Sequence, residues 1–247
     1  MNSTLGYIDG TTALKNEEYE ALNAEIAFSG NPPRIKAVTK AKQRRLHTYL
    51  FFKRGFDIFA SFFGLVFLLP LFLIVATIIR IDSKGKAIYA HNRIGRNGKP
   101  FKMYKFRSMV HNADEVLSRF TPEQKAKFEV NFKLEDDPRI TKIGVVLRKT
   151  SLDELPQLIN ILRGELSIVG PRPIVKSEMY KYGENMNKLT CVKPGLTGYW
   201  QVRGRSTTTY EERVAMDMFY IDNLSLLLDV KIFFATFAAV LRKQGAH

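Results

Sequence analysis

Cysteine is almost missing from this chain. Cys191 is the only one in 247 residues, which excludes an internal disulfide and a cysteine-built metal cluster. Histidine is as sparse: His47, His91, His111 and His247 lie scattered and show no ligand spacing. No P-loop and no GxGxxG stretch occurs, so the common glycine-rich phosphate cradles are absent. No internal repeat is visible. Acidic residues are outnumbered, with 24 Asp and Glu against 38 Lys and Arg, for a net charge of +14. The imbalance is uneven. Residues 1–33 hold Asp9, Glu17, Glu18, Glu20 and Glu25 against Lys15, a net of −4, so the remainder carries +18. Such a surface attracts polyanions: nucleic acid, anionic lipid or phosphorylated substrates. Charge alone does not choose among them, although no recognised nucleic-acid motif is present and nucleic acid is not an expected partner.

One stretch lacks charge altogether. Ile58 to Ile79 reads IFASFFGLVFLLPLFLIVATII, 22 residues, and about 20 suffice to cross a bilayer. A soluble core helix would show a polar face, and this run has none. It begins too far into the chain for a signal peptide. Pro70 near its middle removes a hydrogen bond and is expected to kink it. Both flanks are basic: Arg34, Lys36, Lys40, Lys42, Arg44, Arg45, Lys53 and Arg54 precede it, and Arg80, Lys84, Lys86, Arg93, Arg96 and Lys99 follow. Positive flanks belong on the cytoplasmic side, and here both ends qualify. The pattern favours a re-entrant helix that enters and leaves on one face; a kinked single span is the alternative. Asp57, beside Lys53 and Arg54, is expected at the interface as part of an ion pair.

The rest divides at turn signals. Residues 1–49 form an acidic, then basic, leader; residues 50–82 hold the Pro-kinked membrane helix; residues 83–247 form the remaining domain. Ile88–Asn92 and Phe101–Arg107 flank Asn97-Gly98, a strong hairpin signal. Residues 112–131 read as a polar amphipathic helix interrupted at Thr121-Pro122. VGPRP (169–173) is a stiff turn whose prolines hold Arg172 in place, which suits phosphate binding. PGLTG (194–198) is a second glycine-rich loop. Leu226–Leu228 and Ile232–Leu241 are apolar, broken by Asp229 and Lys231, too short to span and suited to a helix lying in the interface or packed on the core.

SLDELPQL (151–158) sets two carboxylates side by side. Ser151 with Glu154 three residues on reads as a capping box, and acids are favoured in a first helical turn. Leu155, Leu158, Ile159 and Leu162 recur at helical spacing, and Gly164 is a plausible stop. Read locally, Asp153 and Glu154 need only open a helix.

The ordered blocks KRGFD (53–57), HNRIG (91–95), YKFRSM (104–109), DDPRITKIGVVLRKTSLDELPQLINILRGELSIVGPRP (136–173), PGLTGYWQVRGRS (194–206) and MDMFYIDNLSLLLDVKI (216–232) resemble the bacterial sugar transferase family, of the monotopic phosphoglycosyl transferase type. The likeness runs in order over residues 50–243. The spanning N-terminal region of many members is unmatched, and Leu69 stands before Pro70 where some members have a small polar residue. The resemblance implies an α+β, largely helical fold: a re-entrant membrane helix, a small cytosolic catalytic domain and interfacial amphipathic helices, at the bacterial inner membrane with the catalytic domain facing the cytoplasm. It implies transfer of a sugar 1-phosphate from a UDP-sugar to undecaprenyl phosphate, with release of UMP, as a first membrane step of exopolysaccharide, capsule or O-antigen assembly.

It further implies that Asp153 is the nucleophile, forming a phosphosugar-aspartyl intermediate, with Glu154 as base or positioning acid. Mg²⁺ is the expected cofactor and Asp153 its protein ligand. Lys105, Arg148 and Arg172 are implied phosphate and nucleotide contacts, with Arg93, Arg107, Gln201, Arg205 and Asp229 as further substrate-binding positions. RGRSTTTYEERV (203–214) is similar to members that use UDP-glucose or UDP-galactose. Expected partners are the UDP-sugar, undecaprenyl phosphate and membrane lipid; association of identical copies is compatible with the sequence. A basic, non-enzymatic membrane module would account for the charge and the apolar run, but not for the ordered blocks. A phosphotransferase with water as acceptor would differ in having no need of a polyprenyl phosphate.

Overall fold

A computed structural model of the chain describes residues 40–131, 134, 137–204 and 208–241. Arg205 and residues 1–39 of the leader lie outside them.

The first described element is a 43-residue helix, α1 (Lys40–Asp82). It takes in residues 40–49, which the sequence assigns to the leader, and continues through Pro70. One stripe of α1 is buried: Tyr49, Asp57, Ser61, Val75 and Ile79. These positions share one helix face but fall in two groups, and no residue from 62 to 74 is buried, so the middle of the apolar segment is at most partly covered by the rest of the protein. The other face is apolar and exposed, with Phe51 at 75% and Phe67 at 77%. That is the reverse of a soluble amphipathic helix, whose exposed face is polar. A continuous exposed apolar surface marks a lipid or protein contact.

Next come β1 (Ile88–Ile94) and β2 (Pro100–Phe106), an antiparallel hairpin with Ile88 opposite Phe106 and Arg93 opposite Phe101. Asn97 (φ 59°) and Gly98 (φ 71°) turn it. The connection is a 3₁₀ turn, Arg96–Gly98, closed by the Gly95 N–H on the Lys99 carbonyl (2.9 Å), and Asn-Gly supplies its positive φ angles at least cost. The polar segment folds as two helices, α2 (Ala113–Ser118) and α3 (Pro122–Asn131). They separate at Thr121-Pro122 as the sequence indicates. α4 (Lys142–Lys149) follows, capped by Thr141, whose side chain accepts from the Gly144 N–H. α5 (Gln157–Arg163) ends at Gly164 with φ 80°. β3 (Ser167–Val169) pairs in parallel with β4 (Gly195–Thr197). α6 (Met186–Thr190) lies between them, and α7 (Tyr199–Arg203), α8 (Tyr210–Asp222) and α9 (Leu226–Leu241) complete the chain. α9 is a single helix, so Asp229 and Lys231 do not interrupt it. The fold is a largely helical α+β one.

Three apolar clusters hold these parts together. Phe101, Ile161, Val169, Tyr220 and Ile232 join the hairpin, α5, β3, α8 and α9. Ile174, Tyr182, Leu189 and Met218 form a second. Val75 and Ile79 of α1 pack with Phe106 and Leu147 in a third. Polar links tie α1 down further. Arg54 donates to the Ile161 and Leu162 carbonyls (2.6 and 2.8 Å), which satisfies the open C-terminal end of α5. Asp57 accepts from the Ser167 hydroxyl and the Ile168 N–H (3.0 and 2.9 Å). Lys53 bridges to Asp229 (2.7 Å). The ion pair expected among Lys53, Arg54 and Asp57 is therefore replaced by bonds from each to a different element.

Candidate active site

The SLDELPQL segment departs from the capping box. Ser151 adopts φ 55°, and its side chain makes no cap bond. Leu152–Glu154 form a separate 3₁₀ turn, and α5 begins only at Gln157. The cause is packing. Leu152 and Leu155 dock against the Val75, Ile79 and Leu147 cluster, which draws the turn inward. A left-handed serine costs energy and persists only where its surroundings impose it.

The turn delivers Asp153 into a buried position, 8% exposed. Among the described residues no side-chain donor reaches its carboxylate. Burial pushes its pKa up to about 6; Lys105 and Arg148 pull against that rise, and the Glu154 charge adds to it. Glu154 differs. Burial opposes its ionisation too, but the Lys105 ammonium, 2.6 Å from its Oε1, holds its carboxyl below the usual range. Lys105 stands on β2, and Arg148 in the last turn of α4. Arg148 is aimed by its Nε, which donates to the Ser108 hydroxyl at 2.9 Å. A Cβ at Gly144 would collide with the Ser108 carbonyl, so only glycine lets α4 approach this closely.

Arg93 and Arg172 close the other side. Arg93 Nη1 donates to the Pro173 carbonyl (3.1 Å) and lies 3.7 Å from Glu178. Burial first, and then the neighbouring Arg172 charge, push Arg93 down to about 10. Its Nε is buried with no partner among the described residues, as is that of Arg213. Buried donors left open beside crowded cations are what an anion site requires. Arg172 lies 5.7 Å from the centre of the Trp200 ring, and Arg213 lies 4.8 Å from it. The charges of Arg172 and Arg93 also act on Glu154. Asp153, Glu154, Lys105, Arg148, Arg93 and Arg172 thus form one constellation, drawn from β1, α4, the 3₁₀ turn, β2 and the 169–173 turn.

Three expected site residues bond to backbone or side-chain groups of the fold. Arg107 is 9% exposed and donates to the carbonyls of Lys84 (2.9 Å) and Ser83 (2.6 Å). It caps the C-terminal end of α1. Asp229 accepts from Tyr49 (2.9 Å), Lys53 (2.7 Å) and Tyr220 (2.8 Å), which joins α9 to α1 and α8. Gln201 donates to the Leu196 carbonyl (3.2 Å), while its Oε1 is buried without a partner among the described residues. Sequence reasoning passed over Ser108, Trp200, Arg213 and Asp217. Asp217 is fully buried, bonded by the Tyr182 hydroxyl at 2.9 Å, and raised by burial to about 7. Ser108 had a local signal, since it follows Arg107 in YKFRSM. The others are brought in by tertiary contacts alone.

The profile of the bacterial sugar transferase family matches residues 48–243. The chain belongs to that family. Its matched span includes every residue of the constellation. Among similar proteins, the UDP-galactose-lipid carrier transferase of Erwinia amylovora is 46% identical over 204 residues, covering 81% of this chain and 43% of that protein. The undecaprenyl-phosphate galactose phosphotransferase of Salmonella typhimurium is 48% identical over 200 residues, covering 80% and 42%. The exopolysaccharide production protein ExoY of Sinorhizobium fredii is 47% identical over 198 residues, covering 79% and 88%. This sugar transferase chain therefore spans less than half the length of the first two relatives and most of the third.

Proposed function

We propose that the chain is a phosphoglycosyl transferase that moves a hexose 1-phosphate from a UDP-sugar to undecaprenyl phosphate and releases UMP. The observation that carries this reading is Asp153: a buried carboxylate with no side-chain donor among the described residues, acted on by Lys105 and Arg148. A carboxylate not tied up in hydrogen bonds keeps its lone pairs for attack, and a covalent intermediate splits one hard displacement into two easier ones. An Asp153 oxygen forms a bond to the sugar-bearing phosphorus. The bond from that phosphorus to the bridging oxygen breaks, and UMP leaves with the electron pair. A phosphate oxygen of the acceptor then attacks the same phosphorus, and the aspartyl oxygen departs as carboxylate. Lys105, Arg148, Arg93 and Arg172 offset the pyrophosphate charge, each worth about 1.5–3 kcal/mol as a charge-assisted bond. Glu154, paired to Lys105 and held in its ionised form, is a weak base and acts by fixing Lys105.

The donor set fits Mg²⁺. That ion takes one or two carboxylates plus substrate phosphates, and Asp153 is a carboxylate with no side-chain donor on it among the described residues. Asp153 would hold it, and the ion would supply neutralisation of the pyrophosphate charge. Relatives named for galactose transfer and for exopolysaccharide production support a hexose donor and a polysaccharide pathway. Glucose and galactose both fit that reading.

The membrane disposition in this reading is supported by α1 and α9. Both ends of α1 are fastened to the catalytic part, one through Lys53 and Asp57 and the other through Arg107. Its flanks are basic on both sides. These features support a helix that enters and returns on the cytoplasmic face of the inner membrane, with α9 lying in the interface. α9 exposes Leu227, Val230, Phe234 and Phe237, and Phe233 packs on Phe56 of α1 at 5.7 Å.

The deciding experiment is UMP release by detergent-purified protein with Mg²⁺. UDP-galactose, UDP-glucose and UDP-N-acetylglucosamine are each offered with and without undecaprenyl phosphate. Turnover that needs one sugar, the lipid and Asp153 is expected; release that continues in Asp153→Asn would remove the aspartyl step. For the membrane reading, single cysteines are placed at both flanks of α1 in a Cys191→Ser background. Both should label from the cytoplasm, and opposite labelling would mean a span. Pro70→Ala is expected to favour spanning.

A further inference from the structure

The two sides of α7 face different surroundings. Trp200 points to Arg172 and Arg213. Val202 and Arg203 face α9 instead, across a cavity of about 270 Å³. Ala235, Ala238 and Ala239 form much of the far wall, with Ile232 beside them. Three alanines at these spacings share one helix face, and their small side chains open the slot. The alanine wall is apolar, while Arg203, Lys231 and Tyr199 make the rest of the lining polar. Arg203 and Lys231 also line it. Both are exposed, and neither has an ion pair or hydrogen bond among the described residues.

An alanine wall beside two exposed cations fits an amphiphile with a negative head and a hydrocarbon tail. The same helix turns Leu227, Val230, Phe234 and Phe237 outward. The slot is therefore continuous with the apolar surface read above as lipid-facing, and the inference rests on that reading. The acceptor is a poorer occupant, because its phosphate must reach Asp153. The cations acting on Asp153 are Lys105 and Arg148, not Arg203 or Lys231.

We propose that the groove between α7 and α9 binds an anionic phospholipid of the surrounding membrane, with Arg203 and Lys231 on the headgroup and an acyl chain along the alanine wall. The lipid holds α7 against α9. Since α7 carries Trp200, the same contact steadies the ring beneath Arg172.

The test uses the full chain in mild detergent and native mass spectrometry with equimolar phosphatidylglycerol and phosphatidylcholine. The expected result is retention of phosphatidylglycerol over phosphatidylcholine by about tenfold or more, since each nearby cation favours an anionic head. The double variant Arg203→Ala, Lys231→Ala should lose the preference. Ala238→Leu, which fills the slot and keeps both cations, should lower retention of phosphatidylglycerol while the melting transition stays in place. Equal retention of the two lipids by the unaltered protein would overturn the proposal, as would a preference surviving the double variant. Displacement of phosphatidylglycerol by equimolar undecaprenyl phosphate would also overturn it, and would assign the groove to the acceptor. UMP release is followed in the same samples. In the unaltered protein, absence of the preference with intact release fails this inference alone; a preference present without release fails only the catalytic reading.

Discussion

Asp153 and Asp229 are equally buried, each 8% exposed, yet their surroundings are opposite. Asp229 accepts three hydrogen bonds, from Tyr49, Lys53 and Tyr220, and its charge is matched by the Lys53 ammonium at 2.7 Å. It is a joint between helices. Asp153 accepts none from a side chain, sits beside a second carboxylate, and has its pKa pushed up to about 6 by burial. Burial alone separates neither role. The partners do: a carboxylate whose lone pairs are filled holds the fold, and one left open is poised to react or to take a cation.

The largest effect that sharpens this contrast is Asp153→Asn. Loss of a nucleophile costs on the order of 10⁴-fold or more in turnover, and UMP release should fall to background. Stability should not fall with it. The folded-state value lies above the ordinary 3.8, so the folded protein binds this proton more tightly than the unfolded chain. Stability therefore declines as pH rises from about 4 to 6, and stays reduced above. Asn removes that cost, so the melting temperature at neutral pH should hold or rise. A variant that unfolds would make Asp153 structural and erase the comparison. Asp229→Ala should do the reverse. It leaves Lys53, only 14% exposed, buried without its partner. Breaking such a pair costs about 3–5 kcal/mol, read as an early urea or thermal transition. Activity per folded molecule should be retained.

The sequence made part of this legible. The hairpin followed from Asn97-Gly98, because consecutive positive φ angles in its short connection are a local requirement that few residue pairs meet. The end of α5 at Gly164 followed for the same reason. The inward face of α1 was hidden, since its exposed face is as apolar as its buried one and no periodicity separates them. The Ser151 capping box failed because Leu152 and Leu155 gain more by packing under Val75 and Leu147 than the serine gains by capping. Asp229, Arg107 and Arg172 look alike as charged residues within matched blocks. Only their partners, mostly far away in sequence, set Asp229 between α9, α8 and α1, Arg107 on the end of α1 and Arg172 against Trp200.

A middle-sized effect probes the cations. Lys105→Met removes the partner of Glu154 and one of the charges facing Asp153. The loss of one charge-assisted bond, about 1.5–3 kcal/mol, corresponds to roughly 10- to 100-fold in kcat/KM for the UDP-sugar. The pair is 26% and 36% exposed at its side chains, so its contribution to stability is small, and the melting temperature should move little. Lys53→Met, the matching change at the Asp229 joint, should instead lower the melting temperature and leave kcat/KM of the folded fraction near its original value. If both variants behaved alike, the distinction between an open and a filled carboxylate would not describe this molecule.

The smallest effect is a displacement in pH. The first half-reaction is read as a UMP burst without acceptor, so that ionisation of the lipid phosphate does not enter. Attack needs the ionised Asp153, and the burst rate should rise through a half-point near pH 6. The Lys105 charge lowers that value and the Glu154 charge raises it. Lys105→Met should therefore move the half-point to higher pH and Glu154→Gln to lower pH, each by up to about one unit. The double variant removes both charges of one ion pair, and the opposite shifts should largely cancel. That cancellation separates a field acting on Asp153 from a general disturbance, which would move both single variants in the same direction. A half-point unmoved by either change would mean that the titrating group is not Asp153. The open carboxylate would then have to be sought at Asp217, whose Oδ1 is also buried without a partner among the described residues and whose value is raised to about 7.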